Sequence, residues 1–219
     1  IVKDNQKYLI EDVARFGKDN TCLGEWDSLE LTKIDLFNKQ ATHNTIQKTK
    51  DRASITQTPW SNIMIDEDGI GGAVVDGMLG VKGFIANSTP IPTRTNIVAK
   101  QGVSYINDFI PKTNFRNLKT QCAFKLAELI NEHKIKFSVP DCREIIIEEL
   151  TALLRHKNAD SDGKWQIKPK DEVKESLGRS PDIGDAIIMR MWYELKKDAL
   201  AENSQEEQKR ERQQKEFFT

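Results

Sequence analysis

Three short runs near the start of the chain carry strand signals, the first apolar and the third alternating, and turn-forming residues separate them. Tyr8-Leu9-Ile10-Glu11-Asp12 is apolar and ends in acids, Phe16-Gly17-Lys18-Asp19-Asn20 supplies a turn, and Thr21-Cys22-Leu23-Gly24-Glu25-Trp26 returns. Asp27-Ser28 is a second turn, and residues 29–37 alternate well enough for a third strand, with Lys33 breaking the pattern. Three such strands in series predict an antiparallel meander. Residues 40–55 are rich in Thr, Gln and Lys without a strong apolar face, which predicts a modest exposed helix capped by Thr42. Asn62-Ile63-Met64-Ile65 then runs into Asp66-Glu67-Asp68, into Gly69-Ile70-Gly71-Gly72, and into a helix-like stretch over 73–79. The pattern is strand, acidic tip, glycine turn, helix, and residues 81–86 form one more predicted strand.

Residues 87–114 carry Pro90, Pro92 and Pro111 among many Thr, Asn and Ser, which predicts a long excursion rather than core. Within it Tyr105, Phe109 and Phe115 are spaced to pack a short hairpin. Asn117 caps a predicted helix to about residue 134, with Leu118, Cys122, Leu126, Leu129 and Ile130 on one face. Further helices are predicted over 143–154 and from Asp182 onward, separated by a turn at 159–164 and a short strand at 165–168. Residues 196–219 are polar and charged until Phe217-Phe218, as in a solvated helix extension or tail. A meander followed by alternating helix and strand is α/β, a mixed central sheet with helices on its faces. The expected organisation is one domain over 1–195 and a charged C-terminal element over 196–219.

Composition narrows the function classes. At 37% hydrophobic and 31% charged, the chain is neither disordered nor membrane-embedded. No apolar run approaches the ~18 residues of a bilayer span, and the polar opening lacks a signal-peptide core, so an intracellular location is expected. The chain opens on Ile1 rather than Met, as a piece of a longer protein does. Cys22, Cys122 and Cys142 are far apart with no CxxC pair, and His43, His133 and His156 have no HxxxH spacing. A disulfide framework and a zinc site are therefore not expected. The formal net charge of −1 announces no nucleic-acid partner, but the bases are unevenly placed. Residues 94–136 hold eight bases against three acids, a net of +5 that leaves −6 for the rest. Arg94, Lys100, Lys112 and Lys119 in that segment are candidates for DNA phosphate contacts, and Lys170 is a candidate beside the last acidic motif.

Three groups of acids stand at rigid positions. Asp12 ends the first predicted strand, Asp66 ends the strand before the glycine turn, and Asp182 and Asp185 open a predicted helix. Taken singly each has a bland explanation as a turn residue, a hairpin tip or a helix cap. Gathered together, carboxylates repel one another unless cations stand between them, and hard divalent cations such as Mg²⁺ take oxygen ligands. The Asp182/Asp185 spacing puts both on one helical face. Glu11 points away from Asp12 on strand alternation and is not counted with them. Gly69-Ile70-Gly71-Gly72 begins like a dinucleotide fingerprint, but Val74 takes the third glycine position, so the glycines serve the turn behind Asp66.

The residues around these acids extend the pattern. Residues 8–21, containing Tyr8-Leu9-Ile10-Glu11-Asp12, resemble the first-strand motif of the nuclease domain of tailed-phage terminase large subunits. Residues 65–76, containing Ile65-Asp66-Glu67-Asp68-Gly69-Ile70-Gly71-Gly72, resemble the second acidic motif of that family, and residues 177–187, Leu177-Gly178-Arg179-Ser180-Pro181-Asp182-Ile183-Gly184-Asp185-Ala186-Ile187, the third. Asn117-Leu118-Lys119-Thr120-Gln121 and its helix are similar to the helix between the second and third motifs. The resemblance covers roughly residues 8–195. It implies an RNase H-like (RuvC-type) fold and a Mg²⁺- or Mn²⁺-dependent endonuclease that cuts concatemeric double-stranded viral DNA during packaging. It also implies a two-metal site in which Asp12 and Asp66 each ligate metal and Asp185 or Asp182 completes the set, with both able to point into it. The implied partners are a terminase ATPase domain, a portal protein and a small terminase subunit, in the host cell cytoplasm and away from membranes. No GxxxxGK[ST] motor signature occurs in the chain. Two other readings remain open on the sequence, a Holliday-junction resolvase and a non-catalytic docking module of a packaging motor.

Overall fold

The acid-ended first run is β1 (Lys7–Asp12) in the computed structural model, which describes residues 4–14, 20–38, 41–92, 115–153 and 164–217, with side chains through residue 204. β1 pairs antiparallel with β2 (Thr21–Asp27), and β2 with β3 (Glu30–Phe37), so the predicted meander is present. The turn between β2 and β3 is tight, with Ser28 at a φ of 58° and its N–H donating to Gln6 O at 2.7 Å. β4 (Ile63–Asp66) adds parallel to β1, and β5 (Lys82–Phe84) parallel to β4. At the far edge the two-residue β6 (Lys136–Phe137) runs parallel to β3, giving the order β5-β4-β1-β2-β3-β6.

Strand alternation sorts side chains onto two faces, and helices cover both. Tyr8, Ile10, Cys22, Trp26 and Met64 face the larger core, packed against α3 (Leu118–Asn131), α4 (Arg143–Ala152) and α6 (Asp182–Phe217). Leu9, Leu23, Ile63 and Ile65 face a smaller core against α1 (Thr42–Thr56) and α2 (Gly71–Asp76). α6 starts fully inside the protein, with Ile183, Ile187, Ile188 and Met191 buried, and runs unbroken past Lys196. Arg190 anchors it. This buried arginine lies 3.7 Å over the Tyr8 ring and donates to Ser28 O at 2.6 Å and to Glu194 Oε1 at 2.9 Å.

Several local expectations change. α1 begins at Thr42 with Ala41 as its cap residue, and the Ala41 carbonyl receives the N–H groups of Asn44 and Thr45, so Thr42 is inside the helix. α1 also has a buried face, made of Thr45, Thr49 and Ala53. Ile130 is 37% exposed because it lies about a quarter turn from the middle of the buried stripe of Leu118, Cys122, Leu126 and Leu129. Residues 165–168 form no strand. Trp165 makes one isolated bridge to Phe115 and stacks on Phe124 at 5.0 Å between centroids, so Phe115 belongs to an aromatic cluster. α5 (Lys170–Leu177) was not anticipated, although Asp171 and Glu172 stand in its first turn and Gly178, at a φ of 70°, ends it. Arg94, Lys100, Lys112, Tyr105, Phe109 and most of the turn at 159–164 lie outside the described residues. Among the described residues no helix is long and apolar enough to cross a membrane.

Candidate active site

The parallel pairing of β1 and β4 assembles the centre. Its register matches Leu9 with Ile63, Ile10 with Met64 and Glu11 with Ile65. One step further Asp12 and Asp66 end neighbouring strands, with backbones about 5 Å apart. Both follow the alternation of Ile10 and Met64 toward the α3/α6 side. Glu11 takes the opposite face, where its Oε2 accepts a hydrogen bond from Thr49 Oγ1 at 2.7 Å.

The glycine turn is built against Asp66. Gly69 has a φ of 76°, and a Cβ on Gly71 would lie 1.5 Å from the Asp66 carbonyl oxygen, so only glycine lets α2 begin there. Asp66 Oδ1 accepts the Asp68 N–H at 3.3 Å, and Asp68 Oδ2 accepts the Ala86 N–H at 3.1 Å. The acidic tip is thus folded back on β5.

α6 brings in Asp182 and Asp185, both buried in its first turn. Asp182 Oδ2 accepts the Asn20 N–H at 2.9 Å. Asp185 is paired with two lysines, Lys119 Nζ 2.7 Å from Oδ1 and Lys170 Nζ 3.0 Å from Oδ2. The Lys119 contact is an ion pair without good hydrogen-bond direction, since Oδ1 has no aligned donor. Asp66, Asp185, Lys119 and Lys170 line one cavity of about 370 Å³. Asp182 lines a neighbouring cavity of about 370 Å³ with Asn20, Glu149 and Arg179. The two helix acids therefore open into adjacent spaces.

Burial and mutual repulsion strain the charges. Asp12 is held well above the usual carboxylate range by burial and by Asp185, Asp66 and Asp182, while Lys170 opposes this. Asp66 is raised by burial, with Asp68 and Asp185 adding to it. Asp185 moves the other way: burial disfavours its charge, but Lys119 and Lys170 outweigh that and hold it below the usual range. Burial works against the Lys170 ammonium, yet Asp185, Asp12 and Asp66 keep it charged beyond the ordinary lysine range. The centre is short of positive charge even with both lysines in it.

Among the described residues no three His, Cys, Asp or Glu side chains stand close enough together to hold a metal ion. The donor set nonetheless suits a hard divalent cation: it is all carboxylate oxygen, and the carboxylates held above their range are those a cation would relieve. Asp12 has no hydrogen bond or ion pair to its carboxylate among the described residues, which leaves its oxygens free to ligate.

No protein-family model and no curated protein matches the chain. Solved structures do. The nuclease domain of the large terminase subunit gp2 of bacterial virus Sf6 superposes with a TM-score of 0.67 at 19% identity, covering 87% of this chain and 89% of that one. A mutant form of that domain, with manganese and beta-thujaplicinol, gives 0.69 at 16% identity over the same shares. The large terminase nuclease of thermophilic phage G20c gives 0.51 at 14% identity, covering 85% of this chain and 81% of that one. The fold is that of a terminase large-subunit nuclease domain.

Within this RNase H-like terminase nuclease fold, the six-stranded sheet sets Asp12 and Asp66 side by side and α6 crosses beneath them. Lys119 and Lys170, both expected at DNA phosphates, are ion-paired with Asp185. Glu149 was not singled out in the sequence, and Arg179 entered only as part of the third motif. Glu149 is buried, accepts the Gly184 N–H at 2.6 Å through Oε2, and receives Arg179 Nη1 on Oε1. The glycine between Asp182 and Asp185 was the one available signal of that contact.

Proposed function

We propose that this chain is a divalent-metal-dependent endonuclease domain of a viral packaging terminase, acting on concatemeric double-stranded DNA. One observation supports the reading: on a terminase nuclease fold, the β1–β4 register ends Asp12 and Asp66 on neighbouring strands, and the first turn of α6 brings Asp185 to the cavity that Asp66 lines. Asp12, Asp66 and Asp185 are the residues that would hold Mg²⁺ or Mn²⁺, with Asp182 beside them. Structures of the Sf6 domain have been solved with manganese and with calcium. Bound metal supplies Lewis-acid charge for water attack on the phosphodiester and for the leaving oxygen.

The protein's own part is orientation and charge. Two strand ends and a helix start fix the carboxylates on rigid elements. Lys170, with 42% of its side chain exposed, stands at the mouth of the cavity beside Lys168 and can meet phosphate oxygens from there. Lys119 is more enclosed and serves Asp185. In this reading the domain works with an ATPase motor domain, and the polar helix beyond residue 195 meets a portal or small-subunit partner.

The test is cleavage of supercoiled plasmid with Mn²⁺ or Mg²⁺, with and without chelator, beside Asp12→Ala and Asp66→Ala. Metal-dependent nicking and linearisation by the wild type alone is expected. Intact plasmid with every metal, or undiminished cutting by the variants, contradicts the proposal. Preference for four-way junctions over linear duplex would replace it with the resolvase reading.

A further inference from the structure

Glu149 belongs to α4, not to any element that carries the acids, yet it reaches the helix that does. Its side chain is 1% exposed, and a carboxylate so far from water needs partners for both oxygens. It has them: Oε2 accepts the Gly184 N–H at 2.6 Å, and Oε1 receives Arg179 Nη1. Arg179 Nη2 also donates to Glu148 Oε2 at 2.6 Å, so α4 grips this arginine with two successive acids. Gly184 lies between Asp182 and Asp185 in the first turn of α6, where N–H groups have no partner within the helix. A carboxylate at that point also faces the positive end of the helix dipole. The glycine makes room for it, since a Cβ at 184 would lie 3.3 Å from Glu149 Cβ and 3.4 Å from Glu149 Oε2.

We propose that Glu149, steadied by Arg179, is a positioning residue of the acidic centre: it caps α6 from outside and so sets where Asp182 and Asp185 stand. The inference rests on the nuclease reading above. Sites of this kind tolerate displacements of only about 0.5 Å, and loss of a residue that orients metal ligands typically costs about 10- to 100-fold in metal affinity or activity. Glutamine at 149 keeps an oxygen for the Gly184 N–H, whereas alanine does not.

The experiment measures Mn²⁺ binding by calorimetry on the full chain, with plasmid-cleavage kcat and KM, for wild type, Glu149→Gln, Glu149→Ala and Gly184→Ala. Amide hydrogen exchange over residues 182–185 is followed without metal. In Glu149→Ala, Mn²⁺ affinity and kcat are expected to fall about 10-fold or more, KM for DNA to stay put, and exchange at 182–185 to speed up. Glu149→Gln should recover part of each loss, because its one oxygen can accept the Gly184 N–H while its NH2 cannot accept from Arg179. Gly184→Ala, whose methyl would crowd Glu149 Cβ at 3.3 Å and Oε2 at 3.4 Å, should shift each readout in the direction of Glu149→Ala and decides the matter if the latter does not fold. A folded Glu149→Ala or Gly184→Ala with wild-type Mn²⁺ affinity and exchange overturns the proposal, as does a Glu149→Gln impaired as deeply as Glu149→Ala. A wild type that neither binds Mn²⁺ nor cuts overturns the nuclease reading instead, and the exchange data then still accept or reject the cap.

Discussion

Replacing Glu11 by glutamine is expected to stabilise the protein at alkaline pH and to change little at acid pH. Glu11 is fully buried between β1 and α1, with Oε1 lacking any hydrogen-bond partner and Oε2 accepting from Thr49 Oγ1 at 2.7 Å. The same hydroxyl lies 2.9 Å from Thr45 O, and its single proton cannot serve both acceptors fully. A protonated Glu11 removes the conflict, its O–H donating to Thr49 Oγ1 while Thr49 donates to Thr45 O. Burial accordingly pushes Glu11 from 4.5 up to about 7, against the Thr49 hydrogen bond and the Lys48 charge. Between those values the native state keeps a proton that the unfolded chain has lost, so stability falls as pH rises through this window. At ~1.4 kcal/mol per unit, the full effect is about 3 kcal/mol above pH 7, and about 2 kcal/mol of it develops between pH 5 and pH 8. Urea unfolding of wild type and Glu11→Gln at the two pH values isolates this group, because other titrations cancel in the difference. Similar stabilities at pH 5 and an advantage of about 2 kcal/mol for the variant at pH 8 are expected. Identical pH dependence in both proteins would refute the reasoning, as would a variant less stable at pH 8.

Three further outcomes follow from particular contacts. Gly71→Ala should destabilise the fold by at least about 1–3 kcal/mol in thermal or urea unfolding, because its methyl meets the Asp66 carbonyl, and should weaken Mn²⁺ binding by moving Asp66. Arg190→Met removes buried bonds to Ser28 O and Glu194 and is expected to cost about 3–5 kcal/mol in urea unfolding; a loss under 1 kcal/mol would show that the tie between α6 and the β2–β3 turn is dispensable. Asp4 is partly buried, which opposes its charge, but hydrogen bonds involving Lys197 and Ser28 hold it down to about 2. Its contribution is therefore present above the unfolded value of 3.8 and lost as pH falls toward 2, so Asp4→Asn should melt below wild type at pH 6 and level with it at pH 2.

The central sheet was legible because its signals are local. The Asp27-Ser28 turn, the apolar run of Tyr8 to Asp12 and the run Ile63 to Asp66 each follow from a few adjacent residues, and strand alternation alone separated Glu11 from Asp12. The Asn117 cap was legible for the same reason: its side chain accepts the Thr120 N–H at 2.9 Å. α1 misled because hydropathy counts threonine as polar, whereas Thr49 satisfies its hydroxyl on the preceding turn and on Glu11 and so faces inward. Trp165 carried strand propensity but spends its surface on Phe115 and Phe124. Long-range pairing was beyond reach. Glu149 meets Gly184 across 35 residues, and Lys119 meets Asp185 across 66, so nothing near Lys119 in the sequence indicated that it serves an acid. The near-neutral total of −1 concealed both a basic segment and a cluster of acids, and Lys119 of the first is paired with Asp185 of the second.

The most direct test of the proposed centre is an anomalous-difference map from crystals soaked in Mn²⁺. The account predicts a peak bounded by carboxylate oxygens of Asp12, Asp66 and Asp185, with the Lys119 ammonium withdrawn from Asp185. A map with no peak among those residues, or with Mn²⁺ bound only elsewhere on the chain, would contradict it.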